Sequence, residues 1–169
     1  MELKEALMKR RSVRKFTEES VSDADIDELM HAAMSGPSAC NMKPWEFYVI
    51  SNAEKLAALR GVTKFSGIVS PLAIVVCGDK LRTLPAEMSE FWVQDCSAAT
   101  ENILLRAVEL GLGAVWCGVY PHKAAAKKVA EILGLSVMKT PLNIIYLGHP
   151  DQFPEARDQY SEKNVHYIR

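Results

Sequence analysis

The chain has 169 residues, with 20 Lys and Arg against 21 Asp and Glu, a net charge of −1 and a pI near 6.4. A dedicated nucleic-acid binder, which needs a strongly basic surface, is therefore not expected. Apolar residues make up 49 % and charged residues 24 %, a globular composition at a length that supports one domain over residues 1–169 with a sizeable core.

No apolar run approaches the ~18 residues that span a bilayer, and the start, MELKEALMKRR, lacks the apolar stretch of a secretory leader. No membrane partner is expected. Residues 2–9 predict a short helix that delivers a basic cluster: Lys9, Arg10, Arg11, Arg14 and Lys15 surround Ser12 and Val13. Ser22 with Asp25 forms a capping box. It opens a helix with Ile26, Leu29, Met30 and Ala33 on one face, closed by Gly36. The loop Gly36–Pro44 follows, then Trp45–Ile50 alternates as a strand. Asn52 caps a helix over 53–60. Leu72–Cys77 is a continuous apolar run, expected as a central strand.

The longest helix is predicted from Pro85 to Leu110, ending at Gly111, with apolar residues recurring at three- and four-residue steps. Such a helix spans about 39 Å, more than one sheet face requires, so part of it is expected to meet another subunit. Gly113–Val119 reads as a third strand, Lys123–Leu133 as a helix closed by Gly134, and Leu142–Leu147 as a fourth strand ending at Gly148. From His149 to Arg169 the chain is polar, carries Pro150 and Pro154, and lacks either period. Such a tail is loose or ordered by a partner.

Cys40, Cys77, Cys96 and Cys117 have no C-x-x-C spacing, so reduced, structural thiols and a cytoplasmic location are expected. The four histidines lack metal-ligand spacing, and no metal is expected. The basic cluster carries more chemistry. Arg10, Arg11 and Arg14 with the Ser12 hydroxyl can surround one phosphate, because each guanidinium is a planar fork of donors. Taken alone, a basic run is equally a solvated face, Pro37–Asn41 a turn, and Gly111–Gly113 an ordinary helix stop.

Three segments in order, Arg10-Arg11-Ser12-Val13-Arg14, Pro37-Ser38-Ala39-Cys40-Asn41-Met42-Lys43-Pro44-Trp45 and Gly111-Leu112-Gly113-Ala114-Val115-Trp116-Cys117-Gly118, resemble the FMN-dependent nitroreductase family. The resemblance runs over nearly the whole chain. It implies an α+β fold: a three-layer α-β-α sandwich with a central, mostly antiparallel sheet flanked by helices, in an intertwined homodimer with FMN at the interface. It implies that Arg10, Ser12 and Arg14 bind the FMN phosphate, with Arg11 adding its backbone and side chain. Pro37, Ser38, Ala39 and Asn41 match the loop that reaches the flavin from the neighbouring subunit. Cys117 and Gly118 match backbone lying against the isoalloxazine ring, Arg157 a second phosphate contact, and residues 149–169 an arm that embraces the partner. Lys43 departs from the family, where a Gln is frequent, and sets an ammonium near the pyrimidine edge.

Physical chemistry agrees with those roles. The FMN phosphate carries nearly two negative charges, Asn41 offers both donor and acceptor to a pyrimidine edge, and Gly118 has no side chain to hold a flat ring away. A flavin performs hydride chemistry itself, so no catalytic side chain is expected. The chain lacks a G-x-G-x-x-G after a strand, so NAD(P)H is expected to share one open face with the acceptor, in ping-pong turnover. The function expected is an oxidoreductase passing electrons from NAD(P)H to a small nitroaromatic, quinone or related conjugated acceptor, with specificity set by residues 63–70 and 81–90. The alternative is a flavin-binding protein for storage or sensing, without NAD(P)H turnover. A nucleic-acid or acidic-partner module on residues 9–15 is the weakest reading, given the balanced charge. Arg14→Ala is expected to remove one charge-assisted contact, about 2 kcal/mol or roughly thirtyfold in FMN affinity, measured by fluorescence titration.

Overall fold

The computed structural model describes residues Met1–Arg169. Helix α1 covers Leu3–Lys9 and ends at the basic cluster. Helix α2, Asp23–Met34, starts at Ser22, whose Oγ accepts from the Asp25 N–H at 3.1 Å and donates to the Asp25 carboxylate at 2.7 Å. Gly36 follows α2 for a packing reason rather than as a left-handed cap: a Cβ there would lie 3.3 Å from the Ala33 carbonyl and from the Ala99 nitrogen.

Strand β1, Trp45–Ile50, leads to α3, Ala53–Leu59, capped by Asn52 Oδ1 accepting from the Lys55 N–H at 3.0 Å. Strand β2 is Leu72–Asp79 and is buried at every position. Helix α4 covers Phe91–Glu109, six residues shorter at its start than the expectation of Pro85. Residues Ala86–Glu90 instead form a separate 3-10 turn with Ala86 at φ 54°, since nothing between 85 and 90 is buried to hold an α-helix against the sheet. At about 28 Å, α4 matches one sheet face, and the length argument for a second subunit falls away. Strand β3 is Gly113–Gly118, α5 is Lys123–Leu133 with Gly134 left-handed at φ 67°, and β4 is Lys139–Gly148. β4 begins three residues before the expected Leu142; Pro141, which has no N–H to donate, is accommodated where the β2–β4 register shifts.

The sheet order is β1-β2-β4-β3, with every neighbouring pair antiparallel. Side chains alternate across it. Leu72, Ile74 and Val76 of β2 pack with Ile145, Trp92, Cys96 and Ile103 under α2 and α4. Ala73, Val75 and Cys77 pack with Ile144, Tyr146 and Val129 on the side of α3 and α5. The result is the expected three layers. No helix is long and apolar enough to cross a membrane.

The outer edge of β3 is covered by the basic segment. Ser12 bridges Ala114 in parallel, and the Val13 N–H donates to the Ala114 carbonyl at 3.0 Å. Further on, Phe16 bridges Pro150 and the Asp151 N–H donates to the Lys15 carbonyl. Beyond Pro154 the tail is exposed apart from Ser161, with one short turn at Glu162–Asn164. Gly113 makes the edge contact possible, because a Cβ there would stand 2.7 Å from Val13 Cγ1. Gly113→Ala is therefore expected to destabilise the fold by about 1–3 kcal/mol in urea unfolding, with Val13→Ala in the same chain recovering part of the loss.

Candidate functional site

The extended segment after α1 sends alternate side chains to opposite sides. Arg11 and Val13 line a cleft of about 470 Å³ with Lys9, Gly113, Gln152 and Phe153. Arg11 Nε is buried there without a partner. Arg10 turns to α4, its Nε 3.3 Å from Glu101 Oε1. Arg14 is exposed; its Nη1 donates to the Ser12 carbonyl at 3.4 Å, and its backbone N–H donates to Gln152 Oε1 at 3.2 Å. The two outer arginines thus keep most of their donors free, while Arg11 is divided from them by the alternation.

The Ser12–Ala114 bridge sets this segment against the start of β3, the strand that ends at Cys117 and Gly118, before Phe16 passes on to Pro150. Burial pushes the Cys117 thiol up to about 11, against a smaller opposing pull from the Arg14 guanidinium. The thiol donates to the Phe65 carbonyl at 3.3 Å, so it is a neutral packing group and only its backbone faces the strand edge. Gly118 is exposed, and a Cβ built on it would meet nothing within 4 Å. Space beside the strand end is open to a flat ring. Across the ladder Gly118 pairs with Asn143, a buried amide that donates to Thr100 Oγ1 at 2.9 Å.

The loop between α2 and β1 is strained. Cys40, Asn41 and Lys43 have φ of 49°, 56° and 49°, a left-handed conformation that costs non-glycine residues on the order of 1–3 kcal/mol each. It is held at both ends. The buried Asp95 carboxylate accepts from the Ala39 N–H at 2.8 Å, and Ser38 Oγ accepts from the Lys43 N–H at 3.0 Å. Pro37, Asn41 and Lys43 are exposed, leaving the Asn41 amide free to meet a ligand.

Below the loop lies a charged network. Arg82 Nε donates to Asp79 Oδ2 at 3.0 Å, and Lys139 Nζ stands 2.8 Å from the same oxygen. Arg82 and Lys139 also pair with Glu46, which accepts from the Tyr48 hydroxyl at 2.9 Å. The hydrogen bond from Lys139 holds Glu46 below its ordinary range. Burial pushes Asp79 up, but hydrogen bonds from Lys139, the Leu81 N–H and Arg82 outweigh it and leave that carboxyl lowered as well.

Of the residues expected from the sequence, the arginine segment meets β3 at Ala114, and Arg14 is the cation whose field reaches Cys117. The loop with Pro37, Ser38, Ala39 and Asn41 does not join them: no hydrogen bond or ion pair links it to residues 10–14 or 117–118, and α4 carries the loop through Asp95 but Arg10 through Glu101. Arg157 is exposed, with no hydrogen bond or ion pair inside the chain. Sequence reasoning missed Asp95, Arg82 and Gln152. Asp95 had a signal, a carboxylate within the apolar stripe of Trp92, Cys96 and Ala99; Gln152 acts through distant Arg14, and Arg82 reaches the loop through distant Lys43 and Trp45 although Asp79 lies only three residues away.

Over residues 7–67 and 63–149 the chain matches the nitroreductase family. It is 40 % identical, over 98 % of this chain and 86 % of the other, to a Methanothermobacter thermautotrophicus protein provisionally named NADH dehydrogenase/NAD(P)H nitroreductase. The fold superposes with a TM-score of 0.92 on a Parabacteroides distasonis protein of the same provisional name, at 35 % identity, covering 98 % of this chain and 96 % of that one. It superposes with a TM-score of 0.83 on a provisionally named nitroreductase of Desulfovibrio desulfuricans in complex with FMN, at 28 % identity, covering 99 % and 96 %.

Acid probes the network that seats the loop. Glu46 and Asp79 are both lowered from ordinary values of 4.5 and 3.8, so their contribution is present above those values and is lost as pH falls through the lower, folded ones. Urea stability is expected to drop between about pH 5 and pH 3, with a shallower slope in Glu46→Gln; an unchanged slope would show that the network is not titrating.

Proposed function

This chain belongs to the nitroreductase family, and from that premise we propose that it is an FMN-dependent oxidoreductase passing electrons from NAD(P)H to a nitroaromatic, quinone or related conjugated acceptor. The observation that carries the reading is the Ser12–Ala114 bridge, which sets the segment of Arg10, Ser12 and Arg14 on β3, the strand that ends at an open Gly118. The residues fit the cofactor. Two guanidiniums with free donors and a hydroxyl suit a phosphate near −2, and bare backbone at Gly118 suits a ring.

In this reading Arg10, Ser12 and Arg14 hold the phosphate, with the Arg11 backbone beside it, and Arg157 from the tail adds charge. The backbone of Cys117 and Gly118 lies against the ring. Asn41, on the loop of Pro37, Ser38 and Ala39, reads the pyrimidine edge from a second copy of the chain. Two features support a homodimer: the loop is detached from its own arginine segment, and the tail exposes Phe153, Tyr167 and Ile168 at 84 %, 70 % and 99 %. Residues 149–169 are then an arm packed on the partner. Bound FMN supplies the hydride and electron transfer, so the side chains orient and bind. Exchange of Arg10 from Glu101 to phosphate removes the cation that offsets burial at Glu101, so that carboxyl, already pushed up, is pushed further up. With no second nucleotide motif, donor and acceptor use the same face in turn, which makes the kinetics ping-pong.

Purified protein is expected to be yellow, to bleach with NADPH or NADH without oxygen, and to give parallel double-reciprocal lines. Colourless protein in excess FMN would overturn the reading, and intersecting lines would overturn the ping-pong order. A mixed dimer of Arg14→Ala and Asn41→Ala chains is expected to recover one intact site, about half the wild-type FMN capacity; no recovery would refute the shared site.

A further inference from the structure

We propose that Arg82 is a positioning residue for the cofactor loop: its guanidinium clamps the backbone on both sides of Pro44 and so holds Asn41 and Lys43 in their left-handed conformation. This inference rests on the flavin reading above. Arg82 Nη1 donates to the Lys43 carbonyl at 3.0 Å and Nη2 to the Trp45 carbonyl at 3.1 Å. Between them the Pro44 carbonyl accepts from the Asp79 N–H at 2.7 Å. Three successive carbonyls are therefore tied to residues 79–82.

That anchor is itself fixed. Asp79 receives Arg82 Nε and Lys139, its Oδ1 accepts from the Leu81 N–H at 3.0 Å, and the Lys80 N–H donates to the Met138 carbonyl at 2.9 Å. The clamp joins the entry of β1 to the exit of β2 and the start of β4. It then transmits to the loop through one residue: Lys43, held at its carbonyl by Arg82, is held at its N–H by Ser38 Oγ, and the Ser38 carbonyl accepts from the Asn41 N–H at 3.0 Å.

Stability alone gives a poor account of this arrangement. The Arg82 side chain is 41 % exposed, so its pair with Glu46 contributes little, and only its bond to the buried Asp79 bears on the fold. What a guanidinium does here is geometric, because its rigid fork reaches two carbonyls and two carboxylates at once. Lysine has a single nitrogen and cannot span them. Residues 80–82 also begin the segment that reaches the Ala86–Glu90 turn, so the same clamp sets the loop's distance from that segment.

The test separates the two ends of the cofactor. FMN and riboflavin, which lacks the phosphate, are titrated into the cofactor-stripped protein by fluorescence quenching. Arg82→Ala is expected to weaken both by the same factor, about tenfold, when the titration is run well below the variant's own melting temperature. Arg14→Ala weakens FMN alone. Millimolar guanidinium is expected to restore riboflavin binding to Arg82→Ala, and Arg82→Lys is expected not to. Wild-type affinity for both flavins in Arg82→Ala, or a loss confined to FMN, would overturn the proposal. Should Arg82→Ala not fold, Arg82→Gln undergoes the same comparison. Wild-type protein that binds neither flavin would overturn the flavin reading, and this inference with it; wild-type binding with an unaffected Arg82 variant overturns this inference alone.

Discussion

Strands β2 and β4 are buried on both faces, and the chain's layout follows from that burial. Alternate side chains from Leu72 to Cys77 and from Ile144 to Leu147 are committed to two separate apolar layers, one beneath α2 and α4 and one beneath α3 and α5. Neither face of the central strands is free to build a site. Polar chemistry is confined to the ends of the sheet and to its edge strands, β1 and β3. The one polar pair within the layers, Asn143 with Thr100, lies at the β3 end where the sheet begins to open.

The two candidate halves of the site sit at those permitted positions and differ in character. Along β3 the arginine segment borrows the regularity of a strand: the Ser12–Ala114 bridge sets the alternation that sends Arg11 and Val13 to one side and leaves Arg14 exposed. Before β1 the loop has no such regularity. Three residues stand in the left-handed region, and Asp95, Ser38 and Arg82 keep them there. Strain of this kind persists where the surroundings over-determine it, which is how binding loops are pre-organised. No nucleophile is paired with a base in either half, and along β3 the Cys117 thiol is pushed up to about 11 by burial. Side chains that bind and orient, with the reaction left to a bound group, are the arrangement a cofactor enzyme requires.

How much of this was legible beforehand depended on the range of the interactions. Capping at Ser22 and Asn52, the strand Trp45–Ile50 and the helix Lys123–Leu133 with its Gly134 stop are all carried by neighbours within a few residues, so the sequence by itself determined them. The continuous apolar run from Leu72 to Cys77 likewise announced a central strand. Tertiary structure alone decided the rest. It broke the helix expected from Pro85, because residues 85–90 find nothing to pack against. It turned Arg11 away from Arg10 and Arg14, because the segment runs as an edge on β3. It brought Asp95 to Ala39 and Arg82 to Lys43, across separations of 56 and 39 residues. Periodicity and propensity report only what a residue does with its immediate neighbours, whereas those contacts exist only once the strands have chosen their order and register.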